Sequence, residues 1–92
     1  MKKYHRLLNI EVEFLNNLIY RGNNQFKNNL RHRKMILLSR LIKKSNYSKI
    51  VNTCEDIYII CSSEAVLGHF LDINFTVMAL VARIRYLIIK LF

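Results

Sequence analysis

The stretch INFTVMALVARIRYLIIKLF, residues 73–92, decides the fold, because a mostly apolar run of this length is long enough to span a bilayer. Its cations argue against that use. Arg83 and Arg85 stand near the middle, where each costs roughly 2.5–3.5 kcal/mol on the insertion scale, and each good apolar residue returns only about 0.3–0.6 kcal/mol. On a helical projection Thr76, Arg83 and Lys90 fall on one narrow polar stripe and Arg85 emerges nearly opposite. The pattern predicts a central helix of a bundle, over about 75–91, buried on most sides and reaching its surroundings along two thin edges.

The rest of the chain supplies the neighbours. With no proline and two glycines, long helices joined by short turns are the natural reading. A first helix over about 5–20 places Leu8, Val12, Leu15 and Ile19 in one apolar row, with Leu7, Phe14 and Leu18 beside it. Gly22-Asn23 then reads as a stop, since both residue types tolerate the left-handed backbone that ends helices. A second helix over about 24–44 carries Phe26, Leu30, Leu37, Leu38 and Leu41 on its packing side, edged by Arg33 and Arg40 on one flank and by Lys27, Arg31 and Lys34 on the other.

Residues 45–48 form a short polar connection with several candidate caps, and Ile50, Val51, Cys54, Ile57, Tyr58, Cys61 and Ala65 continue at helical spacing. The run 57–60 has strand character too, but nothing alternates to pair with it, which favours helix. Residues 68–74 read as a bend, or as a turn with Asp72 or Asn74 capping the last helix. The expectation is an all-α, single-domain chain over 1–92: a compact bundle of about four helices, antiparallel because the connections are short. A domain this small buries only about two thirds of its unfolded surface, so its own stability should be modest and a partner is expected.

Cys54 and Cys61 are seven residues apart in one predicted helix, about 10 Å along its axis, too far for a disulfide. They read as small core residues of a reducing compartment. Residues 1–6 are charged with no apolar run behind them, so no secretory signal is expected. Glu11 projects into the apolar face of the first helix, where a carboxylate needs a partner. Arg83 is the candidate, unless Glu11 bends out to solvent at the bundle edge.

The formal charge is +9, and the imbalance is local. Between Phe14 and Cys54 no acidic residue occurs, yet Arg21, Lys27, Arg31, Arg33, Lys34, Arg40, Lys43, Lys44 and Lys49 all fall there. Such a block seeks a polyanion, either nucleic acid or anionic lipid. Because 52% of the residues are hydrophobic, the charge belongs to a folded module rather than a disordered tail. Arg21, Asn24, Gln25 and Lys27 cluster at the junction of the first two helices, where a helix start also offers backbone N–H groups to phosphate oxygens. Amide side chains there can read base edges or a ribose 2′-hydroxyl, and Arg21 can grip phosphate or stack on an unpaired base. Arg31, Arg33, Lys34, Arg40, Lys43 and Lys44 add attraction to the phosphate backbone. The plain alternatives are that Asn24 and Gln25 cap the second helix and that the cations form a solvated face.

No enzyme signature accompanies this surface. His5, His32 and His69 are too far apart for a familiar metal spacing, and they make none with the two cysteines. Neither a phosphate-cradling glycine loop nor a nucleophile elbow occurs, and adjacent Glu55 and Asp56 point apart on a helix, which suits surface pairs with lysines better than a magnesium site. No active site, cofactor, metal or small-molecule substrate is expected.

The segment LIYRGNNQFK, residues 18–27, resembles the signature of the ribonuclease MRP-specific small protein subunit family, related to the N-terminal domain of nucleolus and neural progenitor proteins. In that family a helix ends in an aromatic-Arg-Asn-Lys-Asn-Gln-His-Arg motif, a basic helix follows, and an apolar helix with an Ala-Arg-Ile core closes the domain. Tyr20, Arg21, Asn24, Gln25 and Lys27 match the motif, and Ala82-Arg83-Ile84-Arg85 stands in the closing helix, with order and spacing agreeing over about 7–91. Phe26 replaces the usual histidine, Asn23 the usual lysine, and the tryptophan common in the second helix is missing. The chain also stops at Phe92, without the basic tail of longer relatives.

The resemblance implies a non-catalytic, nuclear or nucleolar RNA-binding subunit, assembled with MRP RNA and other proteins in a particle whose RNA cleaves precursor ribosomal RNA. Two rivals follow from the same residues: a basic membrane-surface or tail-anchored protein built on the apolar C-terminal helix, and an adaptor whose cationic face meets an acidic protein.

Overall fold

Four helices form, and their ends follow from local chemistry. A computed structural model describes residues 2–91, so Met1 and Phe92, the ends of the expected domain, lie outside the description. The helices are α1 (Lys2–Gly22), α2 (Leu30–Lys43), α3 (Tyr47–Val66) and α4 (Leu71–Leu91). Asn29 starts α2 by accepting a hydrogen bond from the His32 N–H at 3.2 Å, and Asn46 starts α3 by accepting from the Lys49 N–H at 3.5 Å. Two helices stop by the same device, a left-handed residue just past the end. After α3, Gly68 (φ 79°) turns the chain so that its N–H reaches Ala65 O and that of His69 reaches Glu64 O, both at 2.9 Å. After α2, Ser45 (φ 57°) does the same with Ile42 O at 3.1 Å, followed by Asn46 to Leu41 O at 3.2 Å.

The helices pack as a ring: α1 on α2, α2 on α3, α3 on α4 and α4 on α1, with no close backbone approach across either diagonal among the described residues. Each neighbour is antiparallel. Asn16 meets Ser39 and Gly22 meets His32, so α2 runs back along α1; Glu64 approaches Arg31 and Glu55 meets Arg85 in the same reversed order around the ring. The expected four-helix bundle is therefore the fold. Leu15, Leu38, Ile50, Ile57, Cys61, Val77, Leu80 and Ile84 are fully excluded from solvent at its centre. At roughly 25 cal/mol per Å² of apolar area, this core is the principal favourable term.

Several boundaries and faces differ from expectation. The second helix begins at Leu30, not near 24, because residues 23–29 spend their backbone bonds on turns closed by Phe26 N to Gly22 O at 2.7 Å and Asn29 N to Phe26 O at 2.8 Å. Gly22 is not left-handed; it ends α1 where an added Cβ would stand 2.9 Å from His32 Cε1, so its small size serves close packing. In α2 the buried row is Arg31, His32, Met35, Leu38 and Leu41, which leaves Leu30 and Leu37 outside. The second apolar row of α1 also turns outward, with Leu7 and Phe14 exposed. Finally, α4 is not central: it packs along α1 and α3, and one whole face of it is open.

Candidate nucleic-acid interface

In an up-down-up-down bundle the α1–α2 loop and the α3–α4 turn share one end. Here they are locked together. The Phe26 ring meets the Phe70 ring edge-on with centroids 5.3 Å apart, and the Arg31 guanidinium lies 4.9 Å from the first ring and 5.9 Å from the second. Arg31 Nη1 donates to Asn74 Oδ1 at 2.8 Å and lies 3.6 Å from Glu64 Oε1, while Asn74 Nδ2 donates to His69 O at 2.8 Å. This one side chain thereby ties α2 to α3 and α4. Arg31 is expected on the RNA-facing flank of α2; it is 0% exposed and belongs to the interior, where an amide takes the hydrogen bond of Nη1 and two rings and a carboxylate face the charge, while Nε and Nη2 have no hydrogen-bond partner among the described residues.

His32 holds the loop from the other side. Its Nε2 hydrogen-bonds Asn23 Oδ1 across 2.9 Å, and its ring covers Gly22. Burial, aided by the neighbouring Arg31 charge, pushes its pKa below the ordinary 6.5.

With the backbone of 23–29 held, Arg21, Asn24, Gln25 and Lys27 all project to solvent at this end, as the helix-junction reading requires. None makes a hydrogen bond or ion pair among the described residues. Tyr20, beside Arg21, is 82% exposed, an aromatic ring free to stack. Its place immediately before Arg21 is the sequence signal for such a contact.

The remaining cations run along α2. Arg33, Arg40 and Lys44 follow one outward line, interleaved with exposed Leu30 and Leu37, and cover about 16 Å of helix axis. Lys43 is exposed beside them and Lys34 is half-buried on one edge. The ten candidates thus divide: four at the loop end, five along α2 and Arg31 inside. Lys43 and Lys44 lie at the far end of the bundle from the loop, so no single small ligand touches both groups.

No ion pair neutralises this surface among the described residues. The three salt bridges use Arg31 with Glu64, Arg83 with Glu11 at 2.9 Å and Arg85 with Glu55 at 3.1 Å. Glu11 accordingly pairs with Arg83, as its place in the apolar face required, and Glu55 takes Arg85 rather than a lysine. Among the described residues no group of three or more His, Cys, Asp or Glu side chains is placed to hold a metal. Comparison with models of known protein families, with curated proteins and with solved structures finds no match.

Proposed function

We propose that this chain is a non-catalytic RNA-binding protein subunit of a ribonuclease MRP-type ribonucleoprotein, acting in the nucleus and nucleolus in pre-ribosomal RNA processing. The observation that carries the reading is the acid-free cationic surface of α2 and the loop before it, which finds no counter-ion among the described residues. The arrangement of Arg21, Asn24, Gln25 and Lys27 at one bundle end, and the resemblance of residues 18–27 to the family signature, support the same assignment. MRP RNA and neighbouring protein subunits are the partners, and the particle's catalysis resides in RNA. In this division the loop residues read unpaired nucleotides, and Arg33, Arg40, Lys43 and Lys44 grip phosphates.

The test is to purify the tagged chain, sequence the RNA it carries and identify the accompanying proteins. Nuclease-sensitive recovery of MRP RNA is the expected result; recovery that survives nuclease assigns the surface to an acidic protein instead. In vitro, log affinity for RNA should fall with log salt at a slope near about −3 to −4 if four or five cations neutralise phosphates. Arg21→Ala with Gln25→Ala should weaken binding with helicity intact, whereas Lys43→Ala with Lys44→Ala should weaken it uniformly across sequences and flatten the slope. The runner-up is a basic protein lying on anionic membranes through the open face of α4. Among the described residues no helix is long and apolar enough to cross a membrane. Flotation with anionic liposomes, in preference to RNA binding, would establish that reading.

A further inference from the structure

Two apolar stripes run along α4. Val77, Val81, Ile84, Ile88 and Leu91 continue from Asn74 at alternating spacings of about three and four, the coiled-coil rhythm, and all are buried against the bundle. Phe75, Ala79, Ala82, Tyr86 and Ile89 repeat that rhythm one face away, and all five are exposed, Phe75 by 56%, Tyr86 by 54% and Ile89 by 49%. Large apolar side chains left open at regular spacing along two heptads are a packing seam without its neighbour.

The seam differs from the cationic edge in charge. Arg83 and Arg85 flank it on opposite sides, and each is paired, the first with Glu11 of α1 and the second with Glu55 of α3. The unpaired cations of α2 lie on the helix diagonally across the ring, which reaches α4 through the buried Arg31–Asn74 hydrogen bond and makes no close backbone approach to it. Two such seams can therefore approach while the strongly charged edges stay far apart.

We propose that this seam is a homodimer interface, in which α4 packs antiparallel against α4 of a second copy about a twofold axis at Ala82. The stripe is complementary to itself when reversed. Phe75 falls opposite Ile89 of the second copy, the Tyr86 ring lies over the small Ala79, and Ala82 meets Ala82, where two methyl groups let the helices approach closely. The charges at the two ends of the seam agree as well, and Arg83, which the same axis brings near its copy, is already neutralised by Glu11. Asp72 and Lys90 are both exposed and lie about five helical turns apart on the same flank, so the twofold brings Asp72 of each copy to Lys90 of the other. A parallel pairing would leave Asp72 and Lys90 of the two copies at opposite ends of the seam and set alanine against alanine twice, with poor filling. Leu7 and the pair Tyr58 and Ile59, partly exposed where α1 and α3 border α4, widen the apolar area beyond one helix. This inference stands apart from the RNA reading.

The test is site-directed cross-linking of the full chain with analytical ultracentrifugation. Wild type should sediment as a dimer in reversible equilibrium with monomer, and Ala82→Cys should oxidise to a covalent dimer. Ala79→Cys should not, because its two thiols would sit about 9 Å apart along the helices. Wild type gives no background, since Cys54 and Cys61 are both buried. Ala82→Arg should abolish the dimer with helicity unchanged; Lys90→Asp should weaken it and Asp72→Lys with Lys90→Asp should restore it. A wild-type chain that stays monomeric well above micromolar concentration, or equal cross-linking at positions 79 and 82, overturns the proposal.

Discussion

Arg83 of α4 donates from Nε to Oε1 of Glu11 of α1 across 2.9 Å, closing the ring between the first and last helices. Glu11 is 16% exposed and Arg83 47%, so the bond is shielded on the carboxylate side only. Glu11→Gln should destabilise the fold by roughly 1 kcal/mol, the range of a partly solvated pair with a directed hydrogen bond. Glu13→Gln, at an exposed position, should change it by less than about 0.5 kcal/mol. Urea denaturation of the two variants checks this, and equal midpoints would remove the pair from the stability account.

Arg31 should be the most sensitive cation in the chain. Truncation to alanine strips Asn74, Glu64 and two aromatic rings of their shared partner, at a cost of about 3 kcal/mol or more. Arg31→Lys should recover little of it, because a point-like ammonium cannot face both rings and reach the Asn74 amide together. Arg33→Ala, one helix face away, should fall within about 0.5 kcal/mol of wild type by the same denaturation series.

Two backbone positions should respond in opposite senses. Gly22→Ala gains helix propensity but drives a methyl group to 2.9 Å from a His32 ring that is itself pinned to Asn23, for a net loss of about 1 kcal/mol. Ser45→Gly relieves a left-handed serine and should stabilise by about 0.5–1 kcal/mol. Thermal melting of the two single variants tests both signs.

His32 should make stability depend on pH. Burial favours its neutral form in the native state, while the unfolded chain takes up a proton near the ordinary 6.5. The unfolded state then binds more protons as acidity rises, so this contribution is intact above about pH 6.5 and is lost as pH falls towards the lowered native value. Tm should drop between neutral pH and about pH 5.5, and His32→Gln should flatten that dependence.

What the sequence made legible was local. The helix content follows from the absence of proline, and Glu11 could be matched with Arg83 because each sits at an odd place in its own helix, a carboxylate in an apolar row and a guanidinium in an apolar run. The phase of α2 was hidden for a physical reason. Ranked by hydrophobicity, Leu30 and Leu37 outrank Arg31 as core residues, and only Phe26 in the preceding loop together with Glu64, Phe70 and Asn74, distant in the chain, makes the opposite choice favourable. The loop was hidden similarly. Asn23, Asn24, Asn28 and Asn29 are all competent caps, and the docking of Phe26 on Phe70 goes with the start of α2 at Asn29. Of the candidate contact residues, those at the helix junction were readable from the turn chemistry around them, whereas the outward line on α2 needed the correct phase.

The missing diagonal between α2 and α4 also has a bearing on how this chain can change. Apart from the buried Arg31–Asn74 hydrogen bond the two helices do not pack on each other, so substitutions on the exposed edge of one should combine additively with those on the exposed edge of the other. A drift in what the cationic edge recognises therefore leaves the apolar edge untouched, and the small domain can be retuned on two fronts independently without renegotiating its core.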